Sequence, residues 1–329
     1  MKNSAHDAFF GALVADAIAM PVHWYYNQDS LERDYGLIDG YQAPRNPHAD
    51  SILWRSNYCA LNANGDILRE QAAFWGQRGI HYHQFLKAGD NTLNQLLALE
   101  LAGMIVDEDG YDPARWLKRY IAFMLEPGKH CDTYVEEYHR NFFAQYAAGK
   151  KPLLCGGPDV HIGGLAAVPA LVAVLGPQNP DLLEIVQTHV ALTHKDDGVL
   201  QAAEVFARLL VRLSAGDNLR TSMLEEAPHW ISVAKIQQWN KQPDRTVVGS
   251  ILSSACYIPD AFPAALFLAY RHADDFAAGV CANAQVGGDN CHRGTVVGAL
   301  LAAATDIPQR FVDGLGAGAR VKAILSGHS

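Results

Sequence analysis

Gly287 and Gly288 lead without a break into Asp289, Asn290, Cys291, His292 and Arg293, and residues 295–304 then run on small and apolar side chains. A glycine pair makes a tight turn. The run after it has almost no polar face, so it reads as a helix enclosed on all sides by the rest of the fold. Residues 4–20 have the same character, with Phe9, Phe10, Leu13, Val14 and Ile18 among Gly11, Ala12, Ala15, Ala17 and Ala19, until Pro21 ends the pattern. Two thin helices can approach closely. The spacing therefore predicts that the chain ends pack together and carry Asp16 and His23 towards Cys291.

Between them, 3.6-residue periodicity recurs over 67–77, 91–106, 113–125, 133–148, 162–175, 179–191, 196–214, 219–241, 247–254, 261–270 and 273–284, and the last helix covers 291–304. Alternating β-branched runs are scarce. The expected fold is all-α, a compact many-helix single domain over 1–329, with no repeat and no linker. Residues 36–66, rich in Pro, Asn, Gly and Tyr, read as a long loop. With Tyr25, Tyr26, Tyr35, Tyr41 and Trp54 in or beside it, the loop suits either a lid over a flat substrate or plain surface packing.

A net charge of −9 argues against nucleic acid or an anionic membrane as partner. The N-terminus shows no signal-peptide pattern and no membrane span. Six scattered cysteines without a CxxC pair suit reduced thiols, so a cytoplasmic protein is expected. Oligomeric state is left open.

The glycine turn is the first candidate site. A turn emptying into a helix N-terminus presents unpaired N–H groups, and the helix dipole there favours anions and lowers a thiol pKa. An Asp-Asn pair is equally a plain cap. The second candidate is Gly89-Asp90-Asn91-Thr92, whose oxygens suit a hard divalent ion or, as simply, cap the helix after it. His81 and His83 alternate, but zinc would need two further ligands that the sequence does not place. Asp159-Val160-His161 and Leu192-Thr193-His194 stand at helix ends, where a surface cap is the default. No P-loop, GxSxG elbow or HExxH occurs.

Four landmarks in order resemble the ADP-ribosylglycohydrolase family. Residues 11–22, GALVADAIAMPV, resemble its opening GALxGDAxGxPxE helix; Gly89-Asp90-Asn91-Thr92 its TDDT metal motif; Leu192-Thr193-His194 its central TH element; and residues 286–292 its closing GGDTDT. The resemblance implies an all-α fold, two magnesium ions, and a glutamate that helps cleave the N- or O-glycosidic bond to ADP-ribose. The chain departs where that chemistry sits. Asn91 replaces the second acid of the first metal motif, Cys291 that of the last with His292 after it, and His23 stands at the glutamate position. With AGDNTLN, GGDNCHRG, His81-Tyr82-His83 and residues 132–140, the chain is similar to the branch containing jellyfish J crystallins and selenoprotein J.

The resemblance then implies one pocket holding the altered residues. Cys291 would be a nucleophilic thiolate, with His23 or His292 as base and Asp289 or Asp90 as orienter. Asp90, Asn91, Thr92 and Asp289 would form a degenerate metal site, empty or holding at most one magnesium ion. Asp16, His161, Gly287, Gly288 and Arg293 would contact a small, ADP-ribose-like or nucleotide-like molecule. Two other expectations stand beside the thiol-dependent hydrolase. One is a non-catalytic ADP-ribose binder or crystallin-like structural relic; the other is a residual magnesium-dependent ADP-ribosyl hydrolase.

Overall fold

The computed structural model describes residues 3–327. Asn3 starts the first helix, Ser4–Ala19, by accepting from the His6 amide, and Pro21 follows in a short 3-10 turn, Met20–Val22. By length and composition this apolar stretch could cross a membrane, yet 89% of it is buried inside the fold. The closing helix, Asn290–Ala304, is likewise buried along its length.

These two helices pack against each other at the centre. A Cβ added to Gly298 would lie 2.3 Å from the Gly11 carbonyl oxygen, and one added to Gly11 2.3 Å from Ala302 Cβ. Hydrogen side chains are what permit so short an approach. Around the pair stand Asp197–Ser214, Ile258–Arg271 and Phe276–Gln285. Asp197–Ser214 carries its apolar stripe of Val199, Phe206, Leu209, Leu210 and Leu213 inward, and Asp196 caps it by accepting from Gly198 and Val199. Val168–Leu175 lies against the first helix, and Leu93–Asp107 against Val168–Leu175. Among the described residues there is no β-strand, only three isolated bridges.

Several periodic stretches are shorter than their pattern. Residues 67–77 form only the 3-10 segment Arg69–Phe74, and 133–148 becomes helical from Glu137 to Ala147. Pro228 interrupts 219–241, giving Leu219–Glu226 and Val233–Trp239. In place of 247–254 stands the short helix Asp244–Val247. Gln28–Tyr35, Gln309–Gly314 and Gly318–Ser326 are helices that the pattern does not announce.

Candidate functional site

Both turn glycines lie in the left-handed region, Gly287 at φ +66° and Gly288 at +65°. A Cβ on Gly288 would fall 2.1 Å from the Ser254 carbonyl oxygen. The close approach serves the protein itself. Gly287 N donates to Ala284 O (3.1 Å), Gly288 N to Tyr25 O (2.6 Å), Asp289 N to Ser254 O (2.8 Å) and Asn290 N to Gly288 O (2.9 Å). The expected cradle of free amides at Gly287 and Gly288 is thus absent. Arg293 is no ligand contact either. It is fully buried, and its guanidinium donates to Asn283 Oδ1 and to the Asn283 and Gly287 carbonyls, locking the turn from behind.

The turn aims Asp289 into a histidine cluster. Asp289 Oδ1 accepts from His292 Nδ1 at 2.6 Å and from His23 Nε2 at 2.8 Å. The other face of His292 meets a second carboxylate, with Nε2 3.2 Å from Glu136 Oε1. The Asn94 amide also abuts this nitrogen through its NH2 group. Donation from Asn94 would require an uncharged Nε2, whereas Glu136 requires Nε2–H, and the two carboxylates decide for the charged form. Burial works against that charge, but Asp289 and then Glu136 outweigh it and push His292 up to about 10. In return, the His292 charge overcomes burial and holds Asp289 and Glu136 well below the usual carboxylate range.

A chain of hydrogen bonds leads inward from Asp289. His23 Nδ1 lies 2.7 Å from His83 Nε2, and His83 Nδ1 bonds Asp132 Oδ1. Three bonds need three hydrogens, and two neutral imidazoles bring only two, so the chain carries one extra proton. Burial pushes His23 down to about 3, so His23 itself stays neutral. The second oxygen of Asp132 accepts from Leu93 N at 2.7 Å and so caps the helix Leu93–Asp107. Neither Asn91 nor Thr92 caps it, contrary to expectation. His81 and His48 flank the chain with fixed tautomers, donating through Nε2 to the Pro21 and His23 carbonyls.

Cys291 is not an ionised nucleophile. It is fully buried, with Sγ 3.7 Å from the Asp16 carbonyl oxygen. Burial first, and then the negative Asp16, Asp289, Asp132 and Glu136, raise the thiol well above its ordinary value. No base is available to it: both ring nitrogens of His23 are engaged, and His292 already holds its proton. The helix N-terminus cannot overcome a low-dielectric site lined with carboxylates.

The proposed metal ligands disperse in the same way. Asp90 accepts from the Lys87 amide in a local turn (2.8 Å). Asn91 donates to Leu13 O and to Asp16 Oδ2, while the Thr92 hydroxyl donates to Asp16 Oδ1 at 2.6 Å and its amide to Oδ2 at 2.9 Å. Asp16, fully buried, is thus saturated and joins the first helix to this loop without reaching any ligand. Magnesium takes an octahedral set of oxygens. Here Asp289 is ringed by imidazoles and Asp16 by donors, so the residues present do not fit that ion. Among the described residues, three His/Cys/carboxylate groups hold their ligand atoms within 4.8 Å: His23, His83 and Cys291; His23, Asp289 and His292; and His161, Cys256 and Asp289. In the first two the imidazoles are hydrogen-bonded to one another or to carboxylates. In the third, His161 Nδ1 accepts from Gly163 N at 2.8 Å, so its hydrogen sits on Nε2 and faces Asp289 Oδ2 at 3.5 Å. His161 is therefore a donor, not a metal ligand.

Above the cluster opens a cleft of about 230 Å³, walled by Trp24, Tyr26, Tyr82, Tyr134 and Tyr257, with Glu136, His161 and Cys256 at depth. Ile52, Leu53 and Ser56, from the long loop, line one side. Trp24 holds a left-handed backbone (φ +61°) that a bulky residue adopts only under restraint. Its amide donates to Gly288 O at 2.8 Å, and its ring stacks on His23 with centroids 3.7 Å apart. Two oxygens in this region have no hydrogen-bond partner, Glu136 Oε2 and Asp289 Oδ2, although both side chains are almost wholly buried. A smaller cavity of about 50 Å³ behind Asn94 and His139 has room for little more than water. His194, expected in a surface cap, is buried against the Tyr138 ring.

The structure thus joins His23, His161, Asp289 and His292, keeps Cys291 and Asp16 beneath them in closed contacts, and leaves Asp90 outside. It adds Glu136, Asp132 and His83. Glu136 and Asp132 lie in the stretch 132–140 and His83 in 81–83, both singled out in the sequence for their resemblance to one branch and not as site residues.

Comparison with known proteins agrees with this architecture. A solved structure described as an ADP-ribosylglycohydrolase-related protein complex superposes with a TM-score of 0.63 at 21% identity, covering 99% of this chain and 98% of that one. No curated protein sequence matches. The family model described as ADP-ribosylglycohydrolase matches residues 1–326, nearly the whole chain. Altered as its motifs are, the chain belongs to the ADP-ribosylglycohydrolase family.

Proposed function

We propose that this protein is a hydrolase of a glycosidic bond in a small riboside-like ligand, with Glu136 as the working carboxylate, Asp289 as its electrostatic partner and no magnesium requirement. One observation carries the reading: two ionised carboxylates flank one imidazolium below an aromatic cleft, Glu136 with one oxygen outside any hydrogen bond and Asp289 with one met only by His161 at 3.5 Å. Hydrolysis of such a bond passes through an oxocarbenium-like transition state, which fixed negative charge stabilises. The His292 ring fills the interval between the two carboxylates, so the attacking water stands on the cleft side of Glu136. Glu136 Oε2 takes the proton of that water. Asp289 faces the positive charge that develops on the sugar, and His292 holds both carboxylates in their charged form. His161 lines the cleft, and its Nε2–H, held only loosely by Asp289 Oδ2 at 3.5 Å, is the donor it offers a ligand hydroxyl.

The test is release of reducing sugar from a panel of N- and O-ribosides and ADP-ribosyl conjugates, in chelator and in magnesium. Glu136→Gln is expected to lower turnover about 10²- to 10⁴-fold while binding persists, and chelation to change little. Full activity in Glu136→Gln, or activity that appears only with magnesium, overturns the reading.

A second reading is a non-catalytic binder or structural protein. It is favoured by the side chains that have turned inward: Asp16, Asn91, Cys291 and Arg293 all serve internal contacts. It also accords with placing the chain in the branch of J crystallins and selenoprotein J, which the stretches 81–83 and 132–140 support. Ligand binding without turnover across the panel would favour it.

A further inference from the structure

Among the described residues, no lysine or arginine lines the cleft. Its charged groups are the carboxylates of Glu136, Glu137 and Asp159. Past Glu137, Asp159 and Tyr257 the cleft continues into a second recess of about 320 Å³, again without a basic side chain. Arg140, behind Tyr134, is folded against the Trp75 and Tyr134 rings and donates to the Val135 carbonyl. A pyrophosphate entering here would meet several carboxylates and no cation. The turn amides that could have held it are bonded within the protein.

What the cleft does offer is aromatic faces beside fixed anions, the composition that holds a flat cation. Glu136, which lines the cleft, points the same way, because its buried anionic Oε2 is outside any hydrogen bond and is costly to leave so. The leaving group imposes a further condition. Both N–H groups of His292 are engaged with carboxylates, Glu136 and Asp289 are held ionised, burial keeps His161 neutral, and burial pushes the Tyr134 phenol up to about 12. An aglycone that must be protonated to depart has no strong acid facing it. One that is already cationic needs none.

We infer that the cleft takes a phosphate-free N-glycoside whose flat aglycone carries a positive charge, of the pyridinium riboside type. This rests on the hydrolase reading above. In the step, the water oxygen bonds to the anomeric carbon as its proton passes to Glu136. The carbon–nitrogen bond breaks with both electrons going to the ring nitrogen, which leaves the heterocycle neutral. Glu136 then returns the proton to solvent, so glycoside and water give free sugar, neutral base and one proton.

The experiment compares three probes by calorimetry on the full chain carrying Glu136→Gln, which blocks turnover and keeps the Glu137 and Asp159 carboxylates: a pyridinium riboside, an uncharged nucleoside of similar size, and ADP-ribose. Turnover of each is measured on the wild type. The pyridinium riboside is expected to bind at least about tenfold tighter than the other two. The double substitution Glu137→Gln with Asp159→Asn is expected to remove most of that preference and to leave the uncharged nucleoside unaffected. Equal or tighter binding of the uncharged or anionic probe, a preference that survives the double substitution, or no binding of any probe overturns the inference. The two readings fail separately. Selective binding of the cation without wild-type hydrolysis removes the hydrolase and keeps the ligand class, whereas hydrolysis of a neutral or anionic riboside does the reverse.

Discussion

His292 should make the protein lose stability as the medium turns alkaline, and replacing it with glutamine should flatten that loss. The group rises from 6.5 in the unfolded chain to about 10 between Asp289 and Glu136. Below pH 6.5 both folded and unfolded chains hold the proton, and the interaction contributes in full. Between 6.5 and about 10 only the folded chain holds it, so each pH unit removes about 1.4 kcal/mol, and the whole interval about 5 kcal/mol. Above 10 the contribution is gone. From pH 7.5 to 9 the wild type should therefore lose about 2 kcal/mol more than His292→Gln. Cysteines ionise in the unfolded state over the same range, but they do so in both proteins and drop out of the difference. Urea denaturation at half-unit steps, with the slope m checked for constancy, measures it. The substitution itself is costly, since it leaves two buried carboxylates without their counter-charge, on the order of 3–5 kcal/mol. That offset lowers one curve without tilting it. Parallel curves would mean that His292 is uncharged and that the carboxylate pair is not an ionised pair.

The acid side has the opposite sign. Burial lowers His23, His139 and His189 to about 3 and His48 to about 4, so above 6.5 they are neutral in both states, and below it only the unfolded chain gains protons. Four such groups remove about 5 kcal/mol per pH unit, enough to unfold an ordinary domain between about pH 6 and 4.5; circular dichroism showing an intact fold at pH 4 would contradict this. Gly298→Ala forces a methyl into the Gly11 carbonyl and should cost about 1–3 kcal/mol or more, read as a lower Tm; an unchanged Tm would mean that the two central helices separate without penalty. In native protein a maleimide should label exposed Cys59 quickly and buried Cys291 only on unfolding, and Cys291→Ser should keep turnover within about threefold; rapid labelling of Cys291 would restore the thiolate.

The architecture was legible where it depended on side-chain size. Gly11 and Gly298 with their alanine neighbours can only serve a close helix crossing, and such a crossing brings Asp16 to Cys291 whatever lies between. The chemistry was legible only as far as direction was. A helix N-terminus lowers a thiol pKa when the thiol faces solvent or cations, but the second residue of a helix enclosed on every side faces the core, and no local pattern says which atoms wait there. The unpaired amides of the glycine turn were misread for the same reason, because their acceptors, Tyr25 and Ser254, come from distant segments. Asp132 and Glu136 were invisible as site residues since their importance arises from His83 and His292, brought to them by the tertiary fold.

Four buried carboxylates, Asp16, Asp132, Glu136 and Asp289, gather around the closing turn, and the cation that faces them is not a guanidinium. Arg293 points at carbonyl oxygens on the far side. Asp16 is satisfied by neutral donors, and the other three by histidines. A divalent ion and a buried imidazolium can both neutralise such a set, but they answer to different variables: the ion is removed by a chelator at constant pH, the imidazolium by base in the presence of any metal. The carboxylates also change role. Oxygens that coordinate an ion are occupied, whereas an imidazolium bonds one oxygen of each carboxylate and leaves the second with only distant imidazoles, His139 at 4.0 Å from Glu136 and His161 at 3.5 Å from Asp289. Exchanging coordination for protonation thus leaves fixed anionic charge beneath the cleft, and with it an electrostatic role that depends on pH and not on a metal.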